Sequence, residues 1–440
     1  MINSTPASRC QNCAANSSVK RSPPLNTRRS RRVLFFVFVL VALIASAVPL
    51  VNLTAEWGAK DYKLWYSTGQ TVLHGGAIYP PPGERFPFMY PPAAAEMLAP
   101  VSALGQGGLI AVLVVLNSLA WWACIAWSIR LTVPEGERPH GILYLIPNVI
   151  ILAYVWSCYF LGQPTLLLLA LMLAGFLALR AERPWCAGAC FALATAIKAF
   201  PIAVIAYLIY RRYWIATLSL LLSLFLLLLA LPATFRGWSG AEHDLVRWAD
   251  GMLFQYDENG IAQRPERSVA WKNQSLAGVT NRLLRKVDVD ATRPPDQPVY
   301  VNLVDLPFNV VNAIIAGIAL LLGMTYLAAM PPPAQRTRET DAMEWSMLLI
   351  LMLIAAPLSF SYLFAFLLFP FVICTRVWLV RPESPLRWWA LASALLLALT
   401  LPFQRWSERY GNTFVATLIL FIGLALELRR LRRRAVPVVA

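Results

Sequence analysis

Apolar runs dominate this chain and cut it into segments of helical length. The runs at 33–51, 109–129, 141–160, 164–180, 213–232, 308–330, 359–378, 386–402 and 412–428 read as membrane-spanning helices. Three further runs, 185–198, 200–210 and 344–356, are too short to cross comfortably and read as re-entrant or broken helices. The pattern predicts an all-α polytopic membrane protein with about 12 transmembrane or re-entrant segments. Two long polar stretches, 52–108 and 233–307, interrupt it. Polar tails flank it at 1–32 and 429–440.

Composition agrees with the pattern and removes the soluble classes. The chain is 58% hydrophobic and 14% charged over 440 residues. Its net charge of +15 is placed where orientation is decided. Arg28, Arg29, Arg31 and Arg32 precede the first run, and Arg429, Arg430, Arg432, Arg433 and Arg434 follow the last. The positive-inside rule puts both ends in the cytoplasm, which needs an even number of crossings. Threading all twelve segments then places Arg130/Arg138, Arg180/Arg183, Arg211/Arg212, Arg336/Arg338 and Arg376/Arg381/Arg387 inside as well. The stretches 52–108, 233–307 and 403–411 fall outside. The charge is therefore a topology signal, and no nucleic-acid partner is expected.

Little else in the chain points to soluble chemistry. Residues 1–32 have the composition of a disordered basic tail. Cys10 and Cys13 form half of a zinc site with no second half nearby, and read as two solvated thiols. The Arg-rich start and Ala45-Ser46-Ala47 resemble a signal peptide, but the run from Val33 to Val51 is long for one and reads as an uncleaved anchor. With three His in all (His74, His140 and His243), no His-built metal site is expected. Phosphate-binding glycine loops and nucleophile elbows are absent from the sequence. Any chemistry falls to carboxylates, Lys/Arg, Tyr and amides in the outer stretches.

Five pieces carry such groups. Residues 60–73 (KDYKLWYSTGQTVL) predict an interfacial helix, with Leu64, Trp65, Thr68, Val72 and Leu73 on one face and Asp61 elsewhere. Trp57, Tyr62, Trp65 and Tyr66 are aromatics suited to headgroup depth. That helix should roof a cavity lined also by Lys198 and by 271–286. Asp61 reads either as a functional acid or as a solvated one, with Glu56 as the rival acid. Gly162-Gln163-Pro164-Thr165 confines an amide to a tight outer turn, where it either binds a ligand or caps the next helix. Lys198, in Ile197-Lys198-Ala199-Phe200-Pro201, is costly at such depth unless paired or near water, so a helix break or snorkelling is expected there. If the chain turns back at that break, Arg211 and Arg212 stay inside. The fourth piece is Trp271-Lys272-Asn273-Gln274-Ser275, ahead of Arg282, with amphipathic helices predicted at 242–254 and 276–286. The fifth is Pro357-Leu358-Ser359-Phe360-Ser361-Tyr362, a break near the outer face.

In this order the pieces resemble glycosyltransferase family 87, the polyprenol-phosphate-dependent mannosyltransferases of the GT-C superfamily. The likeness runs from about residue 33 to 428. It rests on Asp61-Tyr62, the Gly76…Tyr79…Tyr90-x-Pro92…Pro100 frame, Gly162-Gln163, Ala187-Gly188 before Ile197-Lys198-x-x-Pro201, Asn273-Gln274-Ser275-Leu276 and Pro357-x-Ser359. One departure is that the family often has a His after an aromatic in the last segment, where this chain has Phe360-Ser361-Tyr362.

The resemblance implies a GT-C fold and transfer of a sugar, with mannose favoured, from a polyprenyl-phosphate donor to a hydroxyl of a lipid or glycan acceptor. The reaction would take place on the extracytoplasmic face of the cell membrane, without metal or cofactor. It implies inverting displacement with Asp61 as general base. Lys198 and Arg85, with Arg405 or Arg409, would hold the donor phosphate. Gln163, Asn273 and Gln274 would bond sugar hydroxyls. Trp65 and Tyr90 would pack on sugar or prenyl chain, and the polar role of the missing His would fall to Tyr362 or Ser361. A flippase of lipid-linked sugars and a scaffold of a cell-envelope complex are the alternatives from other classes.

Overall fold

A computed structural model of the chain describes residues 28–52, 60–258, 260–262, 264–294 and 296–434. Cys10, Cys13, Glu56 and Trp57 lie outside the described residues. The first anchor is α1 (Arg28–Asn52), followed by α2 (Asp61–Leu73) and α3 (Pro92–Ser102) in the first polar stretch. The bundle continues with α4 (Gly105–Thr132), α5 (Ile142–Leu161), α6 (Thr165–Arg180) and α7 (Pro184–Ile197). A 3-10 turn at Phe200–Ala203 leads into α8 (Val204–Tyr210), then α9 (Trp214–Phe225) and α10 (Leu231–Ala249). The second polar stretch holds α11 (Pro265–Ser268) and α12 (Leu276–Leu284). The chain closes with α13 (Phe308–Ala329), α14 (Arg338–Ala355), α15 (Leu368–Val380), α16 (Leu386–Thr400), α17 (Gln404–Arg409) and α18 (Asn412–Arg434). Among the described residues the strands amount to one two-residue hairpin, Tyr256–Asp257 with Gly260–Ile261.

This is an all-α polytopic membrane protein. Six helices among the described residues are long and apolar enough to cross a membrane, and Thr165–Arg180, Pro184–Ile197, Phe200–Tyr210 and Leu386–Thr400 are shorter apolar helices. Their outward faces are apolar too, with Phe36, Leu43, Leu119 and Leu218 all exposed, as a lipid-facing surface requires.

One span differs from its expected extent. The run at 213–232 does not end in a loop. Through a π turn at Leu226–Ala230 it continues as a 41-residue helix, Trp214–Phe254, bent where Gly237 adopts φ +70. Its polar end stays helical because one face is fastened to the first polar stretch. Arg236 donates to Gly76 O at 3.1 Å, Arg247 to Pro80 O at 2.7 Å, and Trp248 Nε1 to Met89 O at 3.3 Å.

The chain turns back on itself at Lys198. A Cβ on Gly188 would fall 2.4 Å from Ala216 O and 2.6 Å from Leu220 N, so only glycine lets α7 and α9 approach so closely. Ser219 Oγ also reaches Trp185 O at 2.7 Å. The starts of the two helices therefore lie side by side, and the helices run parallel. Residues 198–213 must travel back along the bundle, as the broken segments 185–198 and 200–210 anticipate.

That return carries Arg211 to the end of the bundle where the other Arg-rich loops gather. The Arg211 guanidinium forms a buried ion pair with Glu344 and donates to Pro331 O at 3.1 Å. Around it, Arg336 pairs with Asp341 at 2.8 Å, Arg338 with Glu135 at 2.6 Å, and Arg376 with Glu137 at 2.5 Å. Pairing also explains why α14 begins at Arg338 rather than at the apolar run from 344. Its acids Glu339, Asp341 and Glu344 all have arginine partners, and Thr337 and Thr340 form a capping box.

Removing one member of a buried pair strands the other's charge. Glu344→Ala should destabilise the protein by about 3–5 kcal/mol, and Arg211→Met combined with Glu344→Met should recover much of that loss. Thermal melting in detergent checks both; equal melting of wild type and Glu344→Ala would contradict the assignment.

Candidate active site

The site is assembled around the docking of α2 onto the turn between α5 and α6. The inward face of α2 is Tyr62, Trp65, Thr68 and Gly69; Leu73, expected on the apolar face, is exposed. The face is set by hydrogen bonding and close fit more than by hydrophobicity. Tyr62 OH donates to Tyr159 O at 2.9 Å, and Trp65 Nε1 donates to Gly162 O at 2.7 Å. Gly162 ends α5 in the left-handed region, at φ +75, and a Cβ there would come within 2.9 Å of the Tyr62 ring.

This turn presents Gln163 beneath the first residue of α2. Gln163 Nε2 donates to Asp61 Oδ2 at 2.6 Å, and Tyr90 OH donates to Gln163 Oε1 at 2.7 Å. Asn117 Nδ2 holds the Gln163 carbonyl at 3.3 Å. Tyr90 is placed by Tyr79 OH, which donates to its carbonyl at 2.6 Å, and by edge contact with the Trp65 ring. Burial pushes the Tyr90 phenol well above its ordinary pKa, so it acts as a neutral donor.

Lys198 closes α7, where the helix breaks before Pro201. Its ammonium lies between two aromatic rings, 5.2 Å from the centroid of Tyr90 and 4.8 Å from that of Tyr362. Tyr362 OH accepts from it at 3.5 Å. This cation–π sandwich offsets part of the cost of burying the charge.

Asp61, Trp65, Tyr90, Gln163, Lys198 and Tyr362 line one cavity of about 250 Å³. The sequence pattern missed its remaining polar group, Arg267, on the short helix α11. Among the described residues the Arg267 guanidinium has no hydrogen bond or ion pair. Arg264 lies behind it, with Nε unpartnered and Nη1 only 3.5 Å from Met89 Sδ. Burial, with Arg267 and Arg85 nearby, pushes the Arg264 guanidinium down to about 10. The cavity thus combines a carboxylate with a surplus of cations, which suits an anion beside a reacting hydroxyl. The signal was present as Arg264-Pro265-Glu266-Arg267 just ahead of Asn273-Gln274, but nothing in it marks which arginine faces inward.

The remaining candidates lie outside the lining. Arg85 pairs with Glu266, and Arg409 and Arg405 approach Asp290 at 3.1 and 3.9 Å. Asn273 and Gln274 are fully buried. Asn273 Nδ2 donates to Ser268 O at 2.8 Å and Pro357 O at 3.0 Å, and its Oδ1 accepts from Ser359 N at 2.9 Å. Gln274 Nε2 donates to Trp271 O and Glu408 O, both at 2.7 Å. The 271–286 segment therefore stands behind the cavity wall and braces Pro357, which lines it. Arg282 is spent likewise on main-chain carbonyls, including Arg409 O at 2.8 Å and Glu408 O at 2.9 Å.

On its apolar side the cavity shares Phe200, Ala356 and Pro357 with a groove of about 400 Å³ between the 3-10 turn, α8, α13 and α14. A cavity that sets charged groups in a largely apolar lining, next to an apolar groove, fits an amphiphile whose head group is anionic.

The sequence pattern described as Glycosyltransferase family 87 matches residues 88–357, more than half of the chain. The chain belongs to glycosyltransferase family 87. The family-87 match includes Tyr90, Gln163, Lys198, Arg264 and Arg267; Asp61 and Tyr362 lie on either side of it. The chain is also 27% identical over 290 residues to a polyprenol-phosphate-mannose-dependent alpha-(1-2)-phosphatidylinositol mannoside mannosyltransferase of Mycobacterium tuberculosis. That similarity covers 60% of this chain and 64% of the curated relative, so the chain spans less than two thirds of that protein's length.

The Gly162 turn gives a direct test of how this family-87 site is held together. Gly162→Ala places a methyl against the Tyr62 ring in a backbone region that costs a non-glycine residue about 1–3 kcal/mol. Melting in detergent should fall accordingly, whereas Gly317→Ala, where a Cβ meets nothing within 4 Å, should melt like wild type or above it.

Proposed function

We propose that this protein is a membrane glycosyltransferase that moves a sugar from a polyprenyl-phosphate donor to a hydroxyl of a lipid or glycan acceptor. The observation that carries this reading is the sharing of one cavity by Asp61, Lys198 and Arg267, beside an apolar groove. Asp61 is the general base. It takes the proton of the acceptor hydroxyl as that oxygen bonds to C1 of the sugar. The C1–O bond to phosphate breaks with its electron pair going to oxygen, and the polyprenyl phosphate leaves with the anomeric configuration inverted. Lys198 and Arg267 hold the phosphate and stabilise the charge that grows on it. The prenyl chain lies along the Phe200–Pro357 groove. Mannose as the sugar is supported by the activity of the relative from Mycobacterium tuberculosis, a polyprenol-phosphate-mannose-dependent mannosyltransferase. The reaction takes place on the extracytoplasmic face, with both termini cytoplasmic; the collection of arginine-rich loops at the other end of the bundle supports this reading.

Asp61→Asn keeps the shape and removes the base, so transfer from polyprenyl-phosphate mannose to membrane lipid extract should fall by roughly 10² or more. Asp61→Glu, with its carboxylate displaced by about one carbon–carbon bond, should also be poor, because proton transfer depends on hydrogen-bond reach. A variant Asp61→Asn with normal transfer would sink the base assignment, and consumption of no donor by wild type would favour a flippase.

Lys198→Ala and Arg267→Ala should each raise the donor KM more than they lower kcat, with Lys198→Arg partly retained if its contact is mainly charge. Donor KM unchanged in both alanine variants would remove them from the phosphate site. A cysteine placed at Gly260 should label from outside intact cells, and labelling only after permeabilisation would reverse the proposed sidedness.

A further inference from the structure

We infer that Gln163 is a positioning residue for Asp61, locked in one of its two amide orientations by Tyr90. The inference rests on the reading of Asp61 as general base. An amide presents a carbonyl and an NH₂ of almost the same shape, so its orientation is set by what surrounds it. Here the neutral Tyr90 hydroxyl offers its one proton to Gln163 Oε1 at 2.7 Å, which commits that end as the acceptor. The opposite end, Nε2, must then face Asp61 Oδ2, which it does at 2.6 Å.

Rotation out of this arrangement is closed off. Gln163 is 2% exposed, its carbonyl is held by Asn117, and its backbone follows the left-handed Gly162. Gln163 therefore spends its carbonyl and one N–H inside the protein. That is a poor disposition for binding sugar hydroxyls and a good one for fixing a carboxylate.

Among the described residues Oδ1 of Asp61 carries no hydrogen bond, so it is the oxygen left for the acceptor hydroxyl, and the Gln163 contact sets its direction. The other ionisable groups facing Asp61 are Lys198, Arg264 and Arg267 as cations, and the phenols of Tyr90 and Tyr362. Among the described residues none of them bonds the Asp61 carboxylate, so aiming it falls to Gln163. Lys198 lies over the ring of the same tyrosine that locks the amide. The phosphate-binding cation and the base are therefore joined through Tyr90 and Gln163.

The test is the kinetics of transfer by the full-length protein in proteoliposomes, with polyprenyl-phosphate mannose as donor and membrane lipid extract as acceptor. Gln163→Leu should lower kcat by about 10-fold, with donor and acceptor KM each within about twofold. Gln163→Glu replaces the Nε2 donor by a carboxylate oxygen and should lower kcat at least as far, again with both KM values held. Tyr90→Phe keeps the ring over Lys198, removes only the hydroxyl that fixes the amide's orientation, and should give a smaller loss of kcat. It decides the matter if Gln163→Leu does not fold. Unchanged kcat in the folded variants, with the loss confined to acceptor KM, would overturn the inference and make Gln163 a substrate contact. If Asp61→Asn is inactive in the same assay, that result overturns the positioning role alone; if Asp61→Asn is active, the underlying reading fails instead.

Discussion

An ammonium ion at the end of an apolar helix is tolerated only where something receives its charge, and the architecture around Lys198 depends on meeting that condition. Continuing α7 straight on would bury the charge in hydrocarbon. Instead the helix ends at Ile197, the chain turns, and Pro201 sits in the 3-10 turn Phe200–Ala203, where it cannot extend α7. The two rings flanking the ammonium come from segments far apart in sequence, one before Pro91 and one after Pro357. Satisfying one charge thus gathers the first polar stretch, the return segment and the α14–α15 break at a single point. The same turn sends Arg211 to the opposite end of the bundle, where Glu344 neutralises it. The return segment is fixed at both ends by charge and between them by packing.

The second organising contact is softer. α2 is held by two donors, Tyr62 and Trp65, each reaching a carbonyl on or near the α5–α6 turn. Because Gly162 supplies both a carbonyl and the space under Tyr62, the residue after it can only sit under Asp61. The position of the acid is therefore inherited from a residue 102 positions away in sequence.

Much of this was legible in the sequence, for identifiable reasons. The spans follow from apolar runs because lipid demands them. The turn at Lys198 was legible because an isolated lysine followed by proline has few structural solutions. What could not be read was any feature created by pairing. The α14 start looked too polar for a span until Arg211, Arg336 and Arg381 supplied partners for its acids. Asn273 and Gln274 have the chemistry of sugar ligands, yet their amides are saturated by main-chain groups of four segments, and only three-dimensional neighbours reveal that. Arg267 is the converse case, an ordinary loop arginine by pattern that faces the cavity because Glu266 beside it turns away to Arg85. The meeting of Asp61, Gln163, Tyr90, Lys198 and Tyr362 was legible only through the order of motifs, since no periodicity relates residues so far apart.

Charge distribution also bears on whether the molecule transfers a sugar or translocates a lipid. A flippase needs a path that opens alternately to both faces. In this bundle the end away from the cavity is laced by ion pairs that join different helices and loops. Arg211 ties the return segment to α14, Arg376 ties α15 to the α4–α5 loop, and Arg381 ties α15 to both α14 and α18. Opening there would separate several pairs at once, at least one of them buried, and each exposed or stranded charge would add to the cost. At the cavity end the balance is reversed. Among the described residues Arg267 has no side-chain partner, Arg264 is only partly satisfied, and Lys198 has aromatic faces but no carboxylate in contact. A molecule braced at one end and electrostatically unfinished at the other fits the proposal of an anion held at the cavity end. A phosphate held there, beside a hydrogen-bonded carboxylate, would serve bond exchange better than passage.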